Sequence, residues 1–281
     1  MLQVARLSPK LLADSKDLIL SFLERQQTAG AFPDRSGRPD VYYTVFGLEC
    51  LRALSADVPH STAAYLEGFQ EDNADLVHTC SLVRCWANVG RAVPRAEAFA
   101  ARVEKFRQAD GGYGPGKTGT LYGCFLALGA YQDLQIGIPR AAELISFIER
   151  MRSADGGFAN QADSPMGQTS ATAAAVGLLR ALGQPVPAGV AEWLWARRHP
   201  ASGGFFAAPA APVPDLLSTA TALHALVSLK QNIAPLREPA LDFLDTLWTT
   251  RGGFLGSWAD DILDCEYTYY GLLSLGYLSL A

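Results

Sequence analysis

Four carboxylates crowd one short segment near the end of the chain: Asp260, Asp261, Asp264 and Glu266, followed by the aromatic trio Tyr267, Tyr269 and Tyr270. Carboxyls gathered at an apolar edge raise one another's pKa, the condition a general acid needs. Aromatic faces beside them can stabilise a cation through the ring quadrupole. Asp264, Asp261, Glu266 and, one repeat earlier, Asp215 are therefore the candidate catalytic groups. Each also has a plainer role, since an aspartate before a helix caps the free N–H groups of its first turn for about 1 kcal/mol.

The elements that position these residues repeat. Gly-Gly-aromatic triplets begin at Gly111, Gly156, Gly203 and Gly252, spaced 45, 47 and 49 residues apart, with a degraded copy at Gly30-Ala31-Phe32. Behind them lies a polar residue followed four positions later by threonine: Asp40/Thr44, Asp75/Thr79, Gly114/Thr118, Gln168/Thr172, Asp215/Thr219 and Asp264/Thr268. Each unit reads as an amphipathic helix ended by the Gly-Gly pair, then a capped apolar helix. The amphipathic members, over 11–27, 95–108, 140–153, 190–198 and 238–248, carry apolar residues at three- and four-residue spacing and have one wet face. The second members, over 42–54, 118–130, 172–182, 219–229 and 268–280, are apolar nearly all round and rich in small residues, so they are buried. Six such pairs predict an all-α fold, an α6/α6 toroid with six inner helices inside six outer ones, in a single domain over 1–281.

Parallel inner helices bring their N-termini to one mouth. That places Tyr43, His78 and Gln168 there with the acids, and Trp86, Tyr122, Tyr267 and Tyr270 on the wall of a cavity suited to a greasy ligand with one polar end. Net charge is −5 with five lysines and no basic run, which excludes a nucleic-acid footprint. The first residues alternate apolar and charged positions, so neither a signal peptide nor a membrane span is expected. Five cysteines without Cys-x-x-Cys spacing read as buried thiols of a cytoplasmic protein. A phosphate loop, a His-Glu-x-x-His zinc motif and a Gly-x-Ser-x-Gly elbow are all missing, and Gly114-Pro115-Gly116-Lys117-Thr118 has the wrong spacing for the first.

The stretches GQTSATAAAVGLL (167–179), SGGFFAAPAAPVPDLLSTATALHAL (202–226) and RGGFLGSWADDILDCEYTYYGLLSLG (251–276) resemble the β subunits of protein prenyltransferases and, more distantly, the squalene-hopene and related class II terpene cyclases. The prenyltransferase resemblance implies a zinc site of Asp, Cys and His. Asp215 matches its Asp, but Leu217 stands at the Cys position and Asp264 at the His position, and loop 207–214 lacks the Arg and Lys that hold a diphosphate. The zinc site thus reads as lost, no cofactor is expected, and no motif supports Mg2+. The cyclase resemblance implies an Asp-x-Asp-Asp acid motif, which this chain replaces with the 260–266 cluster. Three readings follow: metal-independent, acid-initiated carbocation chemistry on an isoprenoid; a non-catalytic toroid that binds a prenyl group, a lipid or a protein; and a prenyltransferase-like transferase. The prenyltransferases work with a partner subunit, which this sequence neither names nor requires.

Overall fold

A computed structural model of the chain describes residues 1–12, 14–69, 74–162 and 164–281. Its helices in chain order are α1 (Leu2–Ala5), α2 (Pro9–Leu12), α3 (Ser15–Gln26), α4 (Val41–Ala53), α5 (Ser61–Glu67), α6 (Leu76–Val89), α7 (Ala96–Glu104), α8 (Leu121–Asp133), α9 (Ala141–Arg150), α10 (Thr169–Ala181), α11 (Val190–Trp195), α12 (Leu216–Ser228), α13 (Arg237–Leu247) and α14 (Cys265–Leu278). From α4 on, the even-numbered helices pack each on the next, and α14 closes against α4. This is the inner ring; α3, α5, α7, α9, α11 and α13 lie outside it. The helix expected over 11–27 is split between α2 and α3, and its Ala13 lies outside the described residues.

Two expectations about the repeat are corrected. The Gly-Gly pair does not end the outer helix. It forms the tip of a small antiparallel turn after it, as where Trp248–Thr249 (β5) pairs with Gly253–Phe254 (β6). The bridges Thr28–Ala31, Arg107–Tyr113, Arg152–Phe158 and Arg198–Phe205 close the same turn in other units, while Phe32–Pro33 (β1) with Pro39–Asp40 (β2) and Phe205–Phe206 (β3) with Pro214–Asp215 (β4) close the loop that follows it. The first glycine of the pair takes φ of +87° at Gly111, +77° at Gly203 and +98° at Gly252. A Cβ there would also strike the backbone of the next outer helix: Glu143 for Gly111, Pro239 for Gly203 and, closing the ring, Leu18 for Gly252. Glycine is needed for both reasons.

The second correction concerns the third unit. Helix α8 starts at Leu121 with Thr120 as its cap, its Oγ1 accepting from Gly123 N, so Gly114/Thr118 is not the cap pair. Elsewhere the aspartates do cap: Asp40, Asp75, Asp215 and Asp264 accept the N–H groups of Tyr43, His78, Ser218 and Tyr267. Gln168 makes no side-chain cap bond.

The threonine one turn in has a specific task. Thr44, Thr172, Thr219 and Thr268 accept, through Oγ1, the N–H of the loop aromatic: Phe32, Phe158, Phe205 and Phe254. In the third unit Cys124 Sγ accepts from Tyr113 N at 3.3 Å instead. Neighbouring units are stitched together by the first amides of α8, α10 and α12, which donate to Asn160, Ala207 and Gly256 in the following loop. The five cysteines are buried and unpaired. No described helix is long and apolar enough to cross a membrane.

Candidate functional site

Closure of the ring brings the first repeat against the sixth, and the acid cluster meets a residue from the far end of the chain. Arg35, in the loop before Asp40, donates Nε to Asp264 Oδ2 at 2.7 Å and Nη2 to Asp260 Oδ2 at 2.8 Å. Its guanidinium also lies 5.2 Å from the centre of the Tyr267 ring. Burial pushes the Asp264 carboxyl up, while the Tyr267 N–H and Arg35 favour its charged form. A guanidinium at 2.7 Å and a backbone N–H on the other oxygen hold the Asp264 carboxyl in place. Asp261 is exposed.

Glu266 stands apart from this ion pair. It sits in the first turn of α14, facing Tyr42 of α4, whose hydroxyl donates to Oε1 at 2.7 Å. Burial, opposed by the Tyr42 hydrogen bond, raises its pKa to about 7. Around it stand Tyr270, 6.3 Å from Tyr267 ring to ring, and Tyr122 from α8. The arrangement is a carboxyl raised towards neutrality and bordered by tyrosines.

The third group is a triad of side chains on α4 and α6. His78 Nδ1 lies 2.8 Å from Asp75 Oδ1 and its Nε2 3.3 Å from Asp40 Oδ2. Burial would lower the pKa of this imidazole, but the two carboxylates outweigh it and raise it. Tyr42, Tyr43, Tyr122, His78, Asp34, Asp40 and Asp75 line an open cleft of about 350 Å³ at this mouth. That volume is at the lower end for ligand sites.

Below the mouth the two sides of the barrel differ. On the α4–α14 side the centre is filled: Phe46 packs 5.7 Å from Tyr270 and 5.9 Å from Tyr269, and a half-buried Arg84 pairs with Asp133 at 2.7 Å and Glu49 at 3.7 Å. On the other side Ser170, Ala174 and Gly177 form a stripe at four- and three-residue spacing that keeps accessible surface, although α10 is enclosed by its neighbours. A Cβ on Gly177 would lie 3.8 Å from Phe125 of α8 and 4.0 Å from His224 Nε2 of α12. Residues of both flanking inner helices meet there, so the stripe faces the barrel axis. Phe125 and His224 are themselves only half-buried, and Tyr122 above them is 41% exposed. Partly accessible residues thus continue from Tyr122 at the mouth to Phe125 of α8, Gly177 of α10 and His224 of α12.

The structure thus brings together Asp264, Glu266, Tyr43, Tyr267, Tyr270 and Tyr122, with His78 on the rim. Asp215 caps α12, its Oδ2 accepting from the Ser218 hydroxyl at 2.7 Å, and faces the same mouth near Tyr267. Gln168 is exposed, and its side-chain hydrogen bond is to Asn160 in its own loop. Trp86 is buried in the core ten residues beyond the start of α6, away from the cleft. Tyr42, an aromatic residue of the predicted cavity wall, belongs with the site, as do Arg35 and His224, which the sequence does not single out. Among the described residues no three His, Cys, Asp or Glu side chains form a metal-ligand set.

The sequence matches the family model of the prenyltransferase alpha-alpha toroid domain over residues 4–67, 56–206 and 187–280. No curated protein matches it. A solved structure of a variant of the type II terpene cyclase MstE from Scytonema, in complex with its product merosterolic acid A, is similar with a TM-score of 0.65 at 13% identity, covering 96% of this chain and 97% of that one. A protein from Actinoplanes is similar with a TM-score of 0.65 at 15% identity, covering 96% and 99%. The protein geranylgeranyltransferase-I of Candida albicans complexed with GGPP follows with 0.53 at 17%, covering 98% of this chain and 81% of that one.

Proposed function

Because the chain belongs to the prenyltransferase alpha-alpha toroid family, we propose that it takes an isoprenoid chain into the barrel mouth and starts carbocation chemistry on it, with Glu266 as the acid. The observation that carries this is the Glu266 carboxyl, buried among tyrosines, hydrogen-bonded by Tyr42 and raised to about 7. A proton passes from Glu266 to one carbon of an alkene, whose π electrons form the new C–H bond and leave a cation on the other carbon. The Tyr42 hydroxyl stabilises the carboxylate so formed. The faces of Tyr270, Tyr267 and Tyr122 offset the cation by roughly 0.5–2 kcal/mol each. A following double bond of the same chain then closes a ring on the cation. No metal or diphosphate is required for these steps. The similar cyclase was solved with a geranylgeranyl dihydroxybenzoate as substrate, which supports an isoprenoid as ligand.

Binding without chemistry is the second reading, favoured by the filled α4–α14 side and the modest cleft. One experiment separates the two. Purified protein and Glu266→Gln are incubated with geranylgeraniol, squalene and a geranylgeranylated phenol, and products are analysed by mass spectrometry alongside binding by thermal shift. Cyclised product from the parent alone supports the acid role. Binding by both proteins with no product supports the second reading, and no binding by either refutes both.

A further inference from the structure

A cation created at the mouth must lose a proton elsewhere, and the barrel holds one side chain placed to receive it. His224 lies eight residues beyond the start of α12, roughly 12 Å below the mouth at the rise of an α-helix. Its Nδ1 is 2.5 Å from Tyr277 Oη of α14, which fixes the ring. Its Nε2 is on the side of α10, 4.0 Å from where a Cβ on Gly177 would lie, so the absence of a larger side chain at 177 leaves room in front of it. Phe125 borders the same place, 3.8 Å from a Cβ at residue 177, and is itself only half-buried. No other described hydrogen bond is made by His224, and the mechanism above does not use it.

We propose that His224 is the general base that ends the reaction, a step that rests on the proposed role of Glu266. In the tautomer where Nδ1–H donates to Tyr277 Oη, Nε2 presents its lone pair to the axis. The C–H bond next to the final cationic carbon breaks, its electron pair becomes a C=C bond, and the proton goes to Nε2. The imidazolium then releases that proton to water, and Glu266 regains one from water. Burial, reinforced by the Met1 amino group, lowers the imidazole to about 4, so it waits neutral at physiological pH. A carbocation is so strong an acid that this weak base suffices. The depth of His224 below Glu266 also names the substrate class: a chain of several isoprene units, long enough for the cation to travel from one group to the other.

The first test reads the tautomer directly. In 15N-histidine-labelled protein, His224 is expected to show a protonated Nδ1 and an unprotonated Nε2, with the Nε2 signal moving when geranylgeraniol is added. A protonated Nε2 would overturn the proposal. The second test is the product. His224→Asn is expected to shift the mixture from alkene towards alcohol by on the order of tenfold or more, because water captures a cation that has lost its base. Gly177→Leu, which fills the space before Nε2 without altering His224 and suits a helix better than glycine, is expected to do the same should His224→Asn fail to fold. An unchanged alkene-to-alcohol ratio in both variants would overturn the role of His224 alone. No consumption of any chain by the parent protein would instead refute the reading of Glu266, and this one with it.

Discussion

Replacing Tyr42 by phenylalanine removes one hydroxyl and leaves the ring packing on Phe46, 5.0 Å away, in place. The lost bond, 2.7 Å to Glu266 Oε1, favours the carboxylate over the acid. Hydrogen bonds to charged groups contribute about 1.5–3 kcal/mol, and 1.36 kcal/mol corresponds to one pH unit. The midpoint of Glu266 ionisation is therefore expected to rise from about 7 by roughly one to two pH units. The tyrosines facing Glu266 stay protonated across that window, since Tyr43, Tyr122 and Tyr267 are raised to about 12 and Tyr270 is raised as well. The assay is the pH dependence of kcat/KM for isoprenoid consumption, paired with a 13C-carboxyl NMR titration. An acid is active while protonated, so the parent loses activity as pH rises through about 7 and the variant loses it later. A midpoint that stays put or falls would refute the assignment of Glu266 and its partner.

Three further outcomes follow from the same structure. Because the folded-state pKa of Glu266 lies above the ordinary 4.5, the folded protein holds a proton the unfolded chain releases. Its stability is fully present below about 4.5 and declines by a few kcal/mol as pH rises to about 7; thermal melts of Glu266→Gln should lack that decline. Thr219→Val leaves the buried Phe205 N–H, now 3.0 Å from Oγ1, without an acceptor and is expected to cost about 1–3 kcal/mol by urea unfolding. Thr79→Val should cost less, since among the described residues the Thr79 hydroxyl makes only a 3.5 Å bond to the Ala74 carbonyl. Gly271→Ala puts a Cβ 2.3 Å from the Phe254 ring and is expected to destabilise by roughly 1–3 kcal/mol despite the better helix propensity of alanine, with the loss read as a lowered Tm.

The toroid was legible because its determinants are local and repeated. A left-handed glycine, an aromatic residue, a capping aspartate and a threonine four positions on each leave a mark in the chain, and each does the same job in several repeats. The third unit was misread because Thr120 caps where the others use Asp, and Cys124 accepts where they use Thr, so chemistry was kept while residue type changed. The Gly-Gly pair reads as a helix end in the sequence because a left-handed glycine serves helix ends and tight turns alike. The site was only half legible. Glu266 and the tyrosines lie in one segment, but Arg35 meets Asp264 from 229 positions away. Nothing in a loop reading Pro-Asp-Arg-Ser-Gly marks that partnership; only closure of the ring reveals it. His224 was passed over because its partner Tyr277 and the opening at Gly177 belong to two other helices.

The most direct test of the account is whether a solvent proton enters the isoprenoid. Protein equilibrated in heavy water is incubated with an unlabelled polyisoprenoid, and the cyclised product is examined for one carbon-bound deuterium. The account predicts a single deuterium at the first protonated carbon in the parent protein and no product from Glu266→Gln. Product without deuterium, or labelled product formed equally well by Glu266→Gln, would contradict it.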